Sequence, residues 1–356
     1  MNKKIFFQIC LITFLALSAS GQIDNPVRTV VNDTSDKYFG LFDNEKILEI
    51  TLRFDLSTYF RTKPKKDYLK ANITIQSDNG DSINADIKLR TRGEFRNQNC
   101  SFAPIELNFK KADFGYKELN RISKIKLVPE CSSGTENSNY VLREYLIYKL
   151  YNIFTDTSFR VRLLTVNYID TEKKRKPIKQ YGFFIEPLEQ LTSRTNTVEI
   201  KSTSLTQKNI IPRLIDRVAI FNYMIGNYDW AVPGQHNVKI IKPLILDLTG
   251  LAIAVPYDFD WTGLVNASYA IPAEVIGTQN IRERLFVGIC RSKEVYMKDL
   301  DIFVKYREEF YRVINEFPYL NNREKKDMIV YLDEFLRELD KKSLIVTSLL
   351  KTCKNF

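Results

Sequence analysis

The spacing of hydrophobic and polar positions changes several times along the chain. Ile5 to Leu17 is an almost unbroken apolar run with no period. From Ile47 to Asp55 apolar and polar residues alternate, the signature of a half-buried strand. Ala71 to Ser77 and Ile83 to Arg92 repeat it on either side of Asp78-Asn79-Gly80-Asp81, a hairpin turn signal. Pro104 to Phe109 and Lys124 to Val128 predict two more strands. Between Ser138 and Tyr151 the period becomes helical, with Val141, Tyr145, Tyr148, Leu150 and Tyr151 apolar and Ser138 a suitable N-cap. Two long strands, Arg160 to Ile169 and Lys179 to Ile185, close this half.

Thereafter the pattern is mainly helical. Ile210, Leu214, Val218, Phe221 and Ile225 mark one face of a helix over Asn209 to Ile225. Short strands are predicted at Asn237 to Ile241 and Leu251 to Val255, and helices at Ile281 to Cys290, Met297 to Phe317 and Arg323 to Leu350. A β-rich half with one helix, followed by a mainly helical half holding a short hairpin, predicts an α+β chain of two lobes. The divisions are an N-terminal segment over 22–46, a β-rich lobe over 47–186 and a helical lobe over 187–356.

The apolar run follows Lys3 and Lys4 and leads into Ala19-Ser20-Gly21, the layout of a secretory signal peptide over residues 1–21. It falls short of the roughly 20 residues that span a bilayer. The mature chain is expected to be secreted, to the periplasm or cell surface, without stable membrane insertion. Apolar residues at 44% supply enough material for a sizeable core. The net charge of +10 falls to +8 once Lys3 and Lys4 are removed, which suits an acidic ligand such as a nucleotide. The basic clusters Lys63 to Lys66 and Lys173 to Lys176 read as solvated hairpin tips, and no aromatic-interleaved basic stripe points to nucleic acid. Cys100, Cys131, Cys290 and Cys353 do not have zinc-site spacing. In an oxidising compartment they can pair, Cys100 with Cys131 first, because both flank adjacent predicted strands.

The chemistry concentrates between Gly226 and Asp260. Asp229 lies in GNYDWAVPGQHN, directly after a predicted helix; Asp258 and Asp260 lie in VPYDFDW, directly after a predicted strand. Two acidic loops that bracket a hairpin can converge. Asp258 and Asn237 offer hard oxygens to a divalent cation, and Asp229 can accept a proton from an incoming hydroxyl. Asp258 and Asp260 alternate along the chain, so both can face one side. Trp230, Tyr257, Phe259 and Trp261 would keep the surroundings partly dry.

RTRGEF at Arg90 to Phe95, APIELNF, KIKLVP at Lys124 to Pro129, LREYLIYKLYN, GFFIEP, GNYDW with His236-Asn237, and PYDFDW occur in this order. Together they resemble the CotH-type atypical protein kinase family of bacterial exported proteins, over roughly Leu48 to Val265. That resemblance implies a two-lobe protein-kinase-like fold and phosphate transfer from ATP, with Mg²⁺ or Mn²⁺, to a hydroxyl of an exported protein. It makes Asp229 the catalytic residue, Asn237 and Asp258 metal ligands and Asp260 a second candidate ligand. Lys126, or Lys124 beside it, would pair with Glu144 and hold phosphates; Arg90 or Arg92 could also reach them, and Glu186 would lie near the base. The chain lacks a GxGxxG loop, and eight residues separate Asp229 from Asn237, against five in the usual kinase loop. These departures motivate an alternative, a catalytically inactive binding or surface-assembly protein of the same fold. A metal-dependent hydrolase is a third reading, weakened by the presence of one histidine, His236.

Overall fold

A computed structural model describes residues 38–77, 80–244 and 250–355. The leader expected over 1–21, most of the segment over 22–46 and the turn residues Asp78-Asn79 lie outside them. In chain order the barrel strands are β1 (Leu48–Phe54), β2 (Leu69–Gln76), β3 (Ser82–Thr91), β4 (Ile105–Asn108), β5 (Lys124–Pro129), β6 (Val161–Asp170) and β7 (Ile178–Ile185). Alternation fixes which way each faces. In β3, Ile83, Ala85, Ile87 and Leu89 are buried, while most of the residues between them are exposed. The inward sets of all seven strands meet in one core that includes Leu52, Leu107, Leu127, Val166 and Phe184.

The strand order is β1-β2-β3-β4-β5-β7-β6, closed. Closure comes from a parallel pairing of β1 with β6, from Leu48 opposite Leu164 to Phe54 opposite Asp170. Every other neighbouring pair is antiparallel. Closing the sheet satisfies the two edges that an open lobe would expose.

Short helices fill the connections: α1 (Leu56–Thr62), α2 (Phe95–Asn99) and α3 (Lys117–Asn120), before the long α4 (Thr135–Asn152). The two-lobe, kinase-like arrangement expected from the sequence is therefore overturned. The β-rich half is a closed mixed barrel and carries four helices rather than one. Helices of four to seven residues are too short to show a helical period. A parallel pairing between strands more than a hundred residues apart leaves no local signal either.

The wall formed by β6 and β7 is shared. Phe184 points into the barrel, whereas Leu163, Phe183 and Ile185 join a second core on its outer side. That core takes in α4, α5 (Leu188–Arg194), α6 (Pro212–Ile225) and the three-stranded sheet β10-β9-β8, with β8 (Thr197–Glu199), β9 (Val238–Pro243) and β10 (Ile253–Pro256). The rest of it comes from α7 (Lys293–Asp299), α8 (Asp301–Lys305), α9 (Arg307–Asn315), α10 (Asn322–Leu336) and α11 (Lys342–Thr352). The single helices expected over 297–317 and 323–350 are thus each divided. The helix expected over 281–290 is irregular chain, pinned where Cys290 is bonded to Cys353 and Ile289 bridges to Lys354. Cys100 is bonded to Cys131, the pair anticipated from the sequence.

Candidate functional site

The two acidic loops meet because the chain around them is stitched together. α6 ends at Gly226, which has φ +68°, and a Cβ there would lie 2.0 Å from the Tyr331 hydroxyl. That close approach requires glycine. It lets Gly263 and Leu264, just past the second acidic motif, donate to the carbonyls of Gly226 and Ile225 at 3.1 and 3.0 Å.

Beyond Gly226 a relay of amides positions Asp229. Asn222 donates to the Val218 carbonyl at 3.0 Å, Asn227 donates to Asn222 Oδ1 at 2.9 Å, and Asp229 N–H donates to Asn227 Oδ1 at 2.9 Å. The Asp229 carboxylate is held on both oxygens. His236 Nε2 lies 2.7 Å from Oδ1, and Asn237 Nδ2 donates to Oδ2 at 3.0 Å and to the Asp229 carbonyl at 2.7 Å. The spacing of eight residues is absorbed by a turn at Pro233–Gln235, closed by Ala231 N–H on the His236 carbonyl at 2.9 Å. Asp229 keeps 39% of its side chain exposed, so its carboxylate opens to solvent.

Asn237 joins the loops, since its carbonyl accepts from Tyr257 N–H at 3.0 Å. Asn237 and Asp258 both sit in the left-handed region, at φ 51° and 65°. Such a conformation is costly for residues other than glycine and concentrates at functional sites. At Asp258 it is held by the Tyr148 hydroxyl, which accepts the Asp258 N–H at 2.9 Å. Phe259, fully buried, packs edge-on against Tyr148 at 4.8 Å. Asp260 is buried and accepts from the Tyr269 hydroxyl at 3.2 Å.

Behind these loops lies a dry cluster of opposite charges. Glu144, from α4, is 1% exposed, and among the described residues its Oε1 has no hydrogen-bond partner. Its cationic partner is Arg96 of α2, with Nη1 4.0 Å from Oε2; Arg96 also donates to the Pro129 carbonyl at 2.5 Å. Burial raises the Glu144 carboxyl well above its ordinary range, and Asp260 and Asp258 push it further. Burial, then Asp258, raises Asp260 to about 7. Burial pulls the Arg96 guanidinium down, but Tyr269, Asp260, Glu144 and Asp258 outweigh it and hold it charged. Lys126 is pushed down to about 8 by burial and by Arg92, against the pull of Asp258.

The expected pairing of Lys126 with Glu144 does not form. Lys126 Nζ lies 4.7 Å from the centre of the Tyr257 ring, and Arg96 serves Glu144 instead. Arg92 belongs to the cluster: its charge acts on Lys126, Glu144 and Tyr257. Lys124 and Arg90 are neutralised on the barrel surface by Glu106, at 3.5 and 2.9 Å. Glu186 is taken up by Arg194 at 2.7 Å and by Arg160 N–H at 3.1 Å, beside a pocket of about 480 Å³ lined by Tyr38, Asp43 and Arg121. Sequence reasoning missed Arg96, Tyr148 and Tyr269. Arg96 directly follows the RTRGEF motif and precedes Cys100 by four residues, which was the available signal.

Among the described residues, no three His, Cys, Asp or Glu side chains gather as an all-protein metal site. Asp258, Asp260 and Glu144 lie close enough to raise one another's charge cost, so their negative charge is concentrated at one place. A cation added beside the unpartnered Glu144 oxygen and the raised Asp260 carboxyl would relieve both. No protein-family model matches the chain, and no curated protein matches it.

Proposed function

We propose that this chain is an exported phosphotransferase that moves the terminal phosphoryl group of ATP to a hydroxyl of a protein substrate, with Mg²⁺ or Mn²⁺. The observation that carries this reading is the division of labour between the loops. Asp229 is held on both oxygens yet open to solvent, while Asp260 is buried and Asp258 half-buried beside it, with Arg92, Arg96 and Lys126 close by. Asp229 would accept the proton of the acceptor hydroxyl as its oxygen bonds to phosphorus and ADP leaves. His236 and Asn237 hold that carboxylate in one orientation. Asp258, Asp260 and Asn237 would hold the cation, which neutralises phosphate charge when bound. Arg92 and Lys126 would meet phosphate oxygens. The resemblance to CotH-type kinases supports the reading, and the two disulfides support an oxidising compartment.

The test is transfer of labelled γ-phosphate by the purified chain with Mn²⁺ or Mg²⁺, alongside Asp229→Asn and Asp258→Asn. Loss of a general base costs ~10²–10⁴-fold, the drop expected for Asp229→Asn. Equal transfer by the variants would overturn the assignment. A thermal shift with ATP and Mn²⁺ that disappears in Asp258→Asn, without any transfer, would favour the binding and surface-assembly reading.

A further inference from the structure

The outer face of the barrel carries a second charged feature, apart from the acidic loops. A groove of about 770 Å³ crosses the strands there, lined by Arg53, Lys70, Lys88, Lys110 and Lys111, with Asp86 the one carboxylate among the described lining residues. Cross-strand pairing puts Lys70 directly opposite Lys88. Like charges in that relation are destabilising. Neighbouring cations are compensated: Lys65 by Glu94 at 2.8 Å, Lys124 by Glu106 at 3.5 Å and Arg90 by Glu106 at 2.9 Å. Among the described residues Lys70, Lys88, Lys110 and Lys111 take part in no salt bridge, and all four are exposed. Asp86 is already engaged by the Asn72 amide at 3.1 Å, and Arg53 by Thr74 Oγ1 at 2.7 Å.

We propose that this groove binds a compact anion carrying two or more phosphate or sulfate groups. Its volume suits a small molecule. Strands lie ~4.8 Å apart, so the lysines of β2 and β3 and those following β4 cover roughly 10 Å, a spacing for separate anionic groups on one ligand. The cationic stripe is bounded: the next row along β3 and β4 pairs Arg90 with Glu106, and toward β5 the row passes Asn108 to Lys124, itself paired with Glu106, so a long polymer would run into compensated surface. Among the described residues no aromatic side chain lines the groove to stack a base, which argues against nucleic acid. Lysines act as point charges that suit phosphate and sulfate from several directions.

The experiment is calorimetric titration of the full chain with inositol hexakisphosphate at physiological salt, with hexaglutamate as the comparison. One site of micromolar affinity is expected, at least tenfold weaker in the Lys70→Ala/Lys88→Ala double variant and unchanged in Lys126→Ala. The ligand-free double variant should melt no lower than wild type, because it removes a like-charge pair; this separates lost binding from lost folding. Absence of binding overturns the proposal. So does weakening by Lys126→Ala, which would place the anion in the acidic cleft, and so does tighter binding of hexaglutamate, which would make the groove a site for acidic peptide.

Discussion

Asp260→Asn tests the electrostatics of the buried cluster without disturbing its shape. The folded chain keeps the Asp260 proton up to about pH 7, whereas an unfolded aspartate releases it near 3.8. Between those values the folded state binds more protons, so stability falls as pH rises. Below about 3.8 the contribution is fully present; above about 7 it is gone. A displacement of that size corresponds to roughly 4 kcal/mol. Asparagine keeps the acceptor for the Tyr269 hydroxyl and carries no charge to desolvate. The variant should therefore be more stable than wild type at pH 8, by up to about 4 kcal/mol or on the order of 10 °C in Tm. Its advantage should shrink toward pH 4, and its pH dependence should be flatter but not flat, because Glu144 still titrates. Denaturant unfolding in EDTA from pH 4 to pH 8.5 measures this. A variant less stable than wild type at pH 8 would mean that Arg96 compensates an ionised Asp260 in full, and the account of the cluster would fail.

Other consequences follow from the same structure. Gly226→Ala should lower stability by ~2–4 kcal/mol in thermal melts, since its Cβ would overlap the Tyr331 hydroxyl and φ is left-handed. Replacing Cys290 and Cys353 with serine should cost about 4 kcal/mol by chain entropy across a separation of 63 residues, read by denaturant unfolding. Lys126→Met should raise Tm at pH 7, because the folded state holds this amine at about 8 while the unfolded chain holds it near 10.5; the gain should fade as pH climbs between those values. The same variant should weaken the thermal shift given by ATP with Mn²⁺.

The chain's pattern of apolar and polar side chains, read alone, located all seven barrel strands, the α4 and α6 helices and the β9–β10 hairpin, since runs such as β3 and α6 are marked locally. It also singled out Asp229, Asn237, Asp258 and Asp260 as candidates, because polar residues crowded between apolar runs are visible without a fold. What it could not supply was any relation between distant segments. The parallel β1–β6 pairing that closes the barrel is one such relation, and it replaced the expected two lobes. The counter-ion of Glu144 is another. The family resemblance suggested Lys126, but the α2 turn, fastened by Cys100 to Cys131, brings Arg96 there instead. The relay from Asn222 through Asn227 to Asp229 was equally hidden. Local pattern fixes where a side chain points on its own element; which charge it meets in the dry interior depends on packing between elements, and the tertiary structure alone decides that.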